Sequence, residues 1–568
     1  MNRWLAKIES HPHSSGVLSA VLLTFAAAPF GQWYLAWIAL TPWLISIAYA
    51  PSTWSAFTRG WLTGIVYFTL NEWWLWTATI PGTIGVIVCS GFYWGLAAAF
   101  IHFLQLLRTR DNNDAPRPTQ QARTQLSFTL RVIAIPVVWV TAEWLRCNTV
   151  SEFPWLPIGS TQTPAIAMCQ IADIAGLWAV SFIVVLTNAL LATACLTRFE
   201  AKQLRQPTAF VAIVLVVAAA YGTWRLTTTP QRVGPLVMLI QSNHPHIRGG
   251  SSMTTPGDAA KFFLSQLEHQ LADEHADLII LPENEFPPLN DEARTNLAQS
   301  PIGQQLELAH RTLTELARKH NTSILVGGAA VTGWTSVGKE HIGSEIRNSA
   351  YLFSPTGVVS RYDKIRLVPF SERLPFSTGP AWLSRISLLL AANRAVQPLH
   401  PGTFADLQPF SLSYSTGANQ QAQATFVTPI CLENVDPVMS SRLARDPVTG
   451  AKRADFFANL SNDGWFHAQE RHQHWQLLAF RCIENRLPMA RSSNTGISGI
   501  IDSCGRVLTA TRVDQPAVAT GRLNLDDRQT IYMSHPSAFP LACAFLTATA
   551  LLIRAGYRLS GRAQQTGS

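Results

Sequence analysis

Three short stretches in the middle of this chain end apolar runs on reactive side chains. Ile279-Ile280-Leu281-Pro282-Glu283 reads as a buried strand finishing on a carboxylate. Tyr362-Asp363-Lys364-Ile365-Arg366-Leu367-Val368-Pro369-Phe370-Ser371-Glu372 carries a lysine and a second acid. Phe426-Val427-Thr428-Pro429-Ile430-Cys431-Leu432-Glu433 reads as a strand finishing on a thiol flanked by an acid. A thiol needs a base to become the nucleophilic thiolate, and a carboxylate can be that base where desolvation raises its pKa. A nearby ammonium can hold the oxyanion of a tetrahedral intermediate. Glu, Lys and Cys together therefore suffice for acyl transfer through a thioester. Singly, each has a plainer reading. Cys431 would pack as a small core residue, Lys364 would be solvated in a charged hairpin, and Glu283 would be a turn residue with Glu285 as a competing acid.

These groups need a scaffold, and the sequence from Arg232 onward supplies one. Leu236–Gln241, Asp277–Leu281, Ser323–Val326, Ala424–Ile430 and Asp455–Leu460 have the length and flanking turns of buried strands. Ser354-Pro355-Thr356-Gly357 and Asp502-Ser503-Cys504-Gly505 are hairpin turns between apolar runs. Leu306, Ala309, Leu313 and Leu316 share one helical face, and Trp475, Leu478, Ala479, Cys482 and Ile483 share another. Alternating strands and helices over about 300 residues predict an α/β or layered α+β core, with reactive groups gathered at carboxyl ends of strands.

The ends of the chain differ. Apolar runs long enough for a bilayer lie near 15–30, 32–50, 60–79, 84–106, 130–146, 174–196, 208–226 and 537–554, predicting eight transmembrane helices. Fifteen of the 19 tryptophans precede residue 225, as expected of a membrane–water boundary. The net charge of +8 splits as +5 over residues 1–228, zero over 229–535 and +3 beyond. A neutral middle section excludes a polyanion-binding surface, so no nucleic acid is expected. Loop arginines and lysines fall 14 on one side and 2 on the other, which places both termini in the cytoplasm and the middle section outside. Val17–Phe25 followed by Ala26-Ala27-Ala28 has the shape of a signal peptide, but removing it would break the charge alternation. The predicted domains are 1–228 with seven spans, 229–530 as a periplasmic catalytic domain, and 531–568 as the eighth span with a basic tail. Glu72 and Glu143 should face the bundle or the interface, and Glu143 and Arg146 could pair. Cys147 and Cys169 could pair in an oxidising compartment. His467, His472 and His474 read as a polar helix start, and neither metal nor cofactor is expected.

The residues resemble the nitrilase (carbon–nitrogen hydrolase) superfamily, which uses a Glu-Lys-Cys triad in this chain order, from about Val237 to Leu525. Within it the resemblance is to apolipoprotein N-acyltransferases. Tyr362-Asp363-Lys364 with Leu367-Val368-Pro369-Phe370 and Glu372 is similar to that family's lysine motif. Ser461-Asn462-Asp463-Gly464-Trp465-Phe466 with His472-Gln473-His474 resembles the segment after its cysteine, and Arg491-Ser492-Ser493-Asn494-Thr495-Gly496 a later one. Phe153-Pro154-Trp155-Leu156-Pro157-Ile158-Gly159 resembles one of its outer loops. The resemblance implies an αββα sandwich between the seventh and eighth spans. It implies Glu283 as general base, Lys364 as oxyanion stabiliser, Cys431 as nucleophile, Glu372 as a supporting carboxylate and Glu433 as an active-site acid. It further implies a monomeric inner-membrane enzyme moving an acyl chain from a membrane phospholipid to a diacylglyceryl apolipoprotein. Leu432 stands where the family usually has an aromatic residue, and Glu285 where it usually has alanine. Competing readings are a membrane-anchored amidase or nitrilase with a soluble substrate, and a non-enzymatic membrane scaffold or transporter supported only by Glu72 and Glu143.

Overall fold

The computed structural model describes residues 11–107, 127–149, 153–228, 232–244, 275–337, 340–374, 380–391, 398–417 and 420–566, with isolated positions between 262 and 269. The chain divides into two compact units. One comprises residues 1–73, 83–227 and 535–568; the other comprises 74–82 and 228–534.

The first unit is helical. Its main helices are α1 (Pro12–Ala26), α2 (Thr53–Glu72), α3 (Ile80–Phe103), α4 (Phe128–Asn148), α5 (Leu177–Leu196), α6 (Ala201–Thr227) and a last helix, Ala538–Thr566. Among the described residues, α3 to α6 and Ala538–Ser560 are long and apolar enough to cross a membrane. The first three expected spans fall outside that set. Pro29 and Gly31 end α1 at 15 residues, and the second run is broken into a turn and the short helices Ala36–Ala39 and Thr41–Ala48. The third is α2, which carries Arg59, Asn71 and Glu72 and stops before Trp73. Asn188 of α5 stitches the broken run. Its Oδ1 accepts from the backbone N–H groups of Leu40 and Thr41 (2.9 and 3.1 Å), and its Nδ2 donates to Ala36 O (2.9 Å). Gly60 and Gly64 on α2 face Gly91 and Gly95 on α3; a Cβ on Gly64 would stand 2.7 Å from Gly91 Cα. Helices approach this closely only through small residues four apart.

Glu72 and Glu143 are buried, as expected. Glu143 and Arg146 both serve the loop that follows their helix. Glu143 Oε1 accepts the Ile158 N–H (2.7 Å), and Arg146 donates to Trp155 O (2.6 Å) and Phe153 O (3.4 Å). Cys147 and Cys169 are both buried and are not joined in a disulfide.

The second unit is a two-sheet sandwich. Its first sheet has the order β12-β1-β2-β3-β4-β5 and its second β11-β10-β9-β8-β7-β6. The strands are β1 (Arg232–Gln241), β2 (Leu278–Ile280), β3 (Ser323–Val337), β4 (Glu340–Phe353), β5 (Val359–Asp363), β6 (Phe410–Ser415), β7 (Gln421–Val427), β8 (Phe456–Ser461), β9 (Met489–Ser493), β10 (Gly499–Ile501), β11 (Val507–Ala510) and β12 (Ala517–Leu525). β1, β2 and β3 pair in parallel, as do β7, β8 and β9, so their carboxyl ends lie together in each sheet. Parallel strands are buried on both faces, and β1 shows the period-2 division. Val237 and Leu239 join the core between the sheets with Leu412, Phe426, Phe456 and Leu460. Met238 and Ile240 turn outward to a second core with Ala309, Leu313 and Leu316 of helix α7 (Pro301–Lys319). Helices α9 (Pro437–Ala444) and α10 (Ala468–Asn485) send Met439, Leu443, Leu478 and Cys482 into the inter-sheet core's continuation. A further helix, α8 (Ala381–Leu390), lies between β5 and β6 in sequence.

Candidate active site

Each reactive residue follows a strand. Glu283 lies three residues past β2, on a turn in which Asn284 adopts φ +58°. Lys364 follows β5 directly, its N–H donating to Asn348 O (2.8 Å). Cys431 lies four residues past β7, after Ile430 bridges to Leu460 at the end of β8. It opens a short 3-10 turn, Cys431–Asn434, with φ +50°. A non-glycine side chain in that region is disfavoured by the backbone. The sharp elbow turns the thiol out of the sheet, leaving it half-buried, whereas Cys482 and Cys504 are fully buried.

The structure brings Glu283, Lys364 and Glu372 into direct contact. Lys364 Nζ lies 3.1 Å from Glu283 Oε1 and 2.9 Å from Glu372 Oε1, with its side chain fully buried. Two of its three N–H donors are therefore spent, leaving one. Burial alone would lower the lysine pKa; the two carboxylates outweigh it and hold Lys364 well above its ordinary value. Glu283 Oε2 accepts the Asn462 N–H (3.0 Å), and Glu372 Oε2 accepts the Val368 N–H (2.8 Å). Cys431 is electrostatically coupled to the same group. Poor solvation and the Glu283 charge push its thiol well above 9, while Lys364 pulls the other way. A thiol in such surroundings needs a base beside it before it can act as a nucleophile.

Glu433 plays a part the sequence did not show. Its Oε1 accepts from the backbone N–H groups of Ile365 (2.7 Å) and Arg366 (2.9 Å), and its Oε2 from that of Ile430 (2.8 Å). The Tyr362 hydroxyl donates to both oxygens at 3.0 Å. The fully buried carboxyl thus ties the lysine segment to the residue before Cys431. Burial raises its pKa to about 7 against the pull of those N–H groups.

Asn348, on β4, was missed. Its Nδ2 donates to Glu283 Oε1 (2.7 Å) and Glu372 Oε1 (2.9 Å), joining the two carboxylates opposite Lys364. No spacing announces it, since Asn348 sits among polar neighbours before the apolar run Ala350–Phe353. Asn462 did fall within a quoted motif, but through its backbone N–H rather than its type.

The histidine cluster divides. His467 caps α10 and His472 lies on its first turns, while His474 is buried in an ion network. Asp463, Glu470 and His474 bring ligand atoms within 4.8 Å of one another. Arg491 Nη2 sits 2.6 Å from Asp463 Oδ2, placing a guanidinium against the same carboxylate. Burial would raise the Asp463 pKa, but Arg491 and His474 hold it well below the usual carboxylate range.

Residues 217–532 match the carbon–nitrogen hydrolase family, and the chain belongs to that family. Residues 19–190 match the N-terminal domain of apolipoprotein N-acyltransferase, so both parts of that architecture are present. Similar proteins include the apolipoprotein N-acyltransferase of Geobacter metallireducens, 29% identical and covering 93% of this chain and 92% of its own. That of Chlorobaculum tepidum is 27% identical, covering 97% and 98%. Among solved structures, an amidase from Nesterenkonia sp. AN1 is 16% identical, covering 55% of this chain and 97% of its own, with a TM-score of 0.34.

Proposed function

We propose that this protein is an apolipoprotein N-acyltransferase that works through a Glu283–Lys364–Cys431 triad. The observation that carries the reading is the buried lysine held at 3.1 Å from Glu283 and coupled to the Cys431 thiol, in a chain with both family domains. In the first half-reaction, Glu283 takes the Cys431 proton and the thiolate attacks an acyl ester of a membrane glycerophospholipid. The remaining Lys364 N–H and the backbone N–H after the cysteine hold the oxyanion. The protonated Glu283 then returns its proton to the departing lysophospholipid alkoxide. In the second, the α-amine of a diacylglyceryl-cysteine attacks the thioester, loses a proton to Glu283 and releases the thiolate. Glu372 and Asn348 hold the base and lysine, and Glu433 holds the two segments in register.

The same reading has eight spans, seven in 1–228 and one in 531–568, with 229–530 on the periplasmic face of the inner membrane of a monomer. Both substrates are bilayer-bound, and each CH₂ withdrawn into water would cost about 0.8 kcal/mol. A catalytic domain tethered by spans at both ends avoids that transfer. Incubating the protein with labelled phospholipid tests the reading. A hydroxylamine-labile acyl adduct should form and be absent in Cys431→Ala, and acceptor peptide should discharge it to an N-acyl product. Discharge to water in the presence of the peptide would identify a hydrolase instead.

A further inference from the structure

Glu285 stands two residues after the base, where the family usually has alanine. It is 6% exposed, and its Oε1 has no hydrogen-bond partner among the described residues. Glu283, Glu372 and Glu433 each accept through both oxygens, so Glu285 differs from every other acid of the site. The backbone fixes it there. Asn284 takes the left-handed conformation between the two glutamates, and the N–H groups of Glu285 and Phe286 both donate to Gly327 O at 3.0 Å.

The charged groups around it are few. Glu283 lies on the same turn, and Lys364 and Glu372 face Glu283 from the segment after β5. β3 packs against the turn through Gly327 and Gly328 and carries no titratable side chain. From beyond β8 come the uncharged Asn462 and Asp463, the latter held by Arg491. Asp291 and Glu292, on the next helix, are exposed. Among the described residues no cation offsets Glu285, and Glu283 is the charge that acts on it. Burial first, then that charge, raises its pKa to about 8.

We propose that Glu285 is a positioning acid that sets the proton affinity of Glu283, keeping its own proton in the resting site and releasing it to favour thiolate formation. The inference rests on the triad reading above. When the Glu285 proton leaves to solvent, a second negative charge appears on the turn that carries Glu283. That charge acts on the Glu283 carboxylate, which lies two residues away on the same turn. The Cys431 proton then moves to Glu283, the S–H bond breaking as the O–H bond forms. In coupled acids of this kind, the proton's position belongs to the pair.

The test is independent of lipid substrate. The full chain in detergent is alkylated with iodoacetamide from pH 6 to 10, and the rate is read at the Cys431 peptide by mass spectrometry. The unsubstituted protein should show a several-fold rise with a midpoint near 8, below the thiol's own titration. Glu285→Gln keeps the shape of the protonated side chain and should remove that rise; Glu285→Ala should do the same. A rise that persists in both variants overturns the inference, as does a uniform loss of rate with the profile's shape intact. Glu283→Gln separates the two claims. If it suppresses alkylation while Glu285→Gln leaves the rise in place, the triad stands and the role of Glu285 falls. If Glu283→Gln changes nothing, the base assignment falls and takes the inference with it.

Discussion

The acids of the site differ in what surrounds them, and their roles follow from that. Glu283 and Glu372 are held by Lys364 and Asn348, whereas Glu433 is held by three backbone N–H groups and a phenol. Removing one partner of a buried charge-assisted network strands the others, at about 1–3 kcal/mol for each group. Glu433→Ala should therefore slow thioester formation by about 100-fold and lower unfolding stability by about 3 kcal/mol. Glu433→Gln retains one acceptor oxygen and should fall between. Single-turnover acylation beside denaturant unfolding measures both; an Ala variant as active and stable as the parent would refute the clamp. At this scale the sequence was legible where residue type carries the chemistry. Cysteine, lysine and glutamate announced themselves, and the structure places Glu283, Lys364 and Glu372 in contact. Asn348 was silent because a carboxamide is informative only once its partners are known. Glu433 was placed in the site, but a carboxylate facing backbone donors cannot be told in sequence from one facing substrate.

The elements deliver these residues through backbone geometry. Gly327 on β3 lies against the Glu283 turn, where a Cβ would stand 2.6 Å from Glu283 Cα and 2.6 Å from Pro282 O. Both neighbours are backbone, so the turn itself must move. Displacing a catalytic group by about 1 Å can cost about 100-fold in rate, whereas an overpacked methyl typically costs about 1–3 kcal/mol. Gly327→Ala should accordingly reduce adduct formation more than tenfold while the protein still unfolds cooperatively. Equal adduct yields in parent and variant would show that the turn accommodates the methyl without moving Glu283. Strands buried on both faces, such as β1, β2 and β8, were readable as continuous apolar runs. β3 was read only to Val326 and β4 only from Ser349, because residues 332–335 and 341–347 are exposed or half-exposed and break the apolar pattern. β12 was missed for a related reason. It is an edge strand with only Ala519, Leu523 and Leu525 in the core, and its pairing with β1 joins residues almost 300 positions apart. In the helical unit, apolar length found the runs, while Pro29, Gly31 and the polar end of α2 decided how they break.

Across the molecule, charge is divided by function, with the basic surplus at both ends and none in the section that holds the site. That neutral section nevertheless contains buried acids that bind protons more tightly when folded. Glu285 is raised to about 8 by burial and Glu283, and Glu470 to about 7 by burial and Asp463. Each also has an oxygen without a partner among the described residues. Unfolding returns both to an ordinary value of 4.5, so the folded protein holds more protons between that value and about 8. Their contribution to stability is full below the unfolded value and is lost as pH rises through the folded ones. Asp463 works in the opposite sense, since its depressed pKa makes it stabilising above the unfolded value and costly on acidification. The balance places greatest stability of this unit near pH 5, with Tm falling by several degrees toward pH 8.5. Thermal unfolding of the full chain in detergent should trace that fall, and the double variant Glu285→Gln/Glu470→Gln should flatten it. A Tm that rises over the same interval, or an unchanged slope in the double variant, would mean that these carboxyls are ionised in the folded protein.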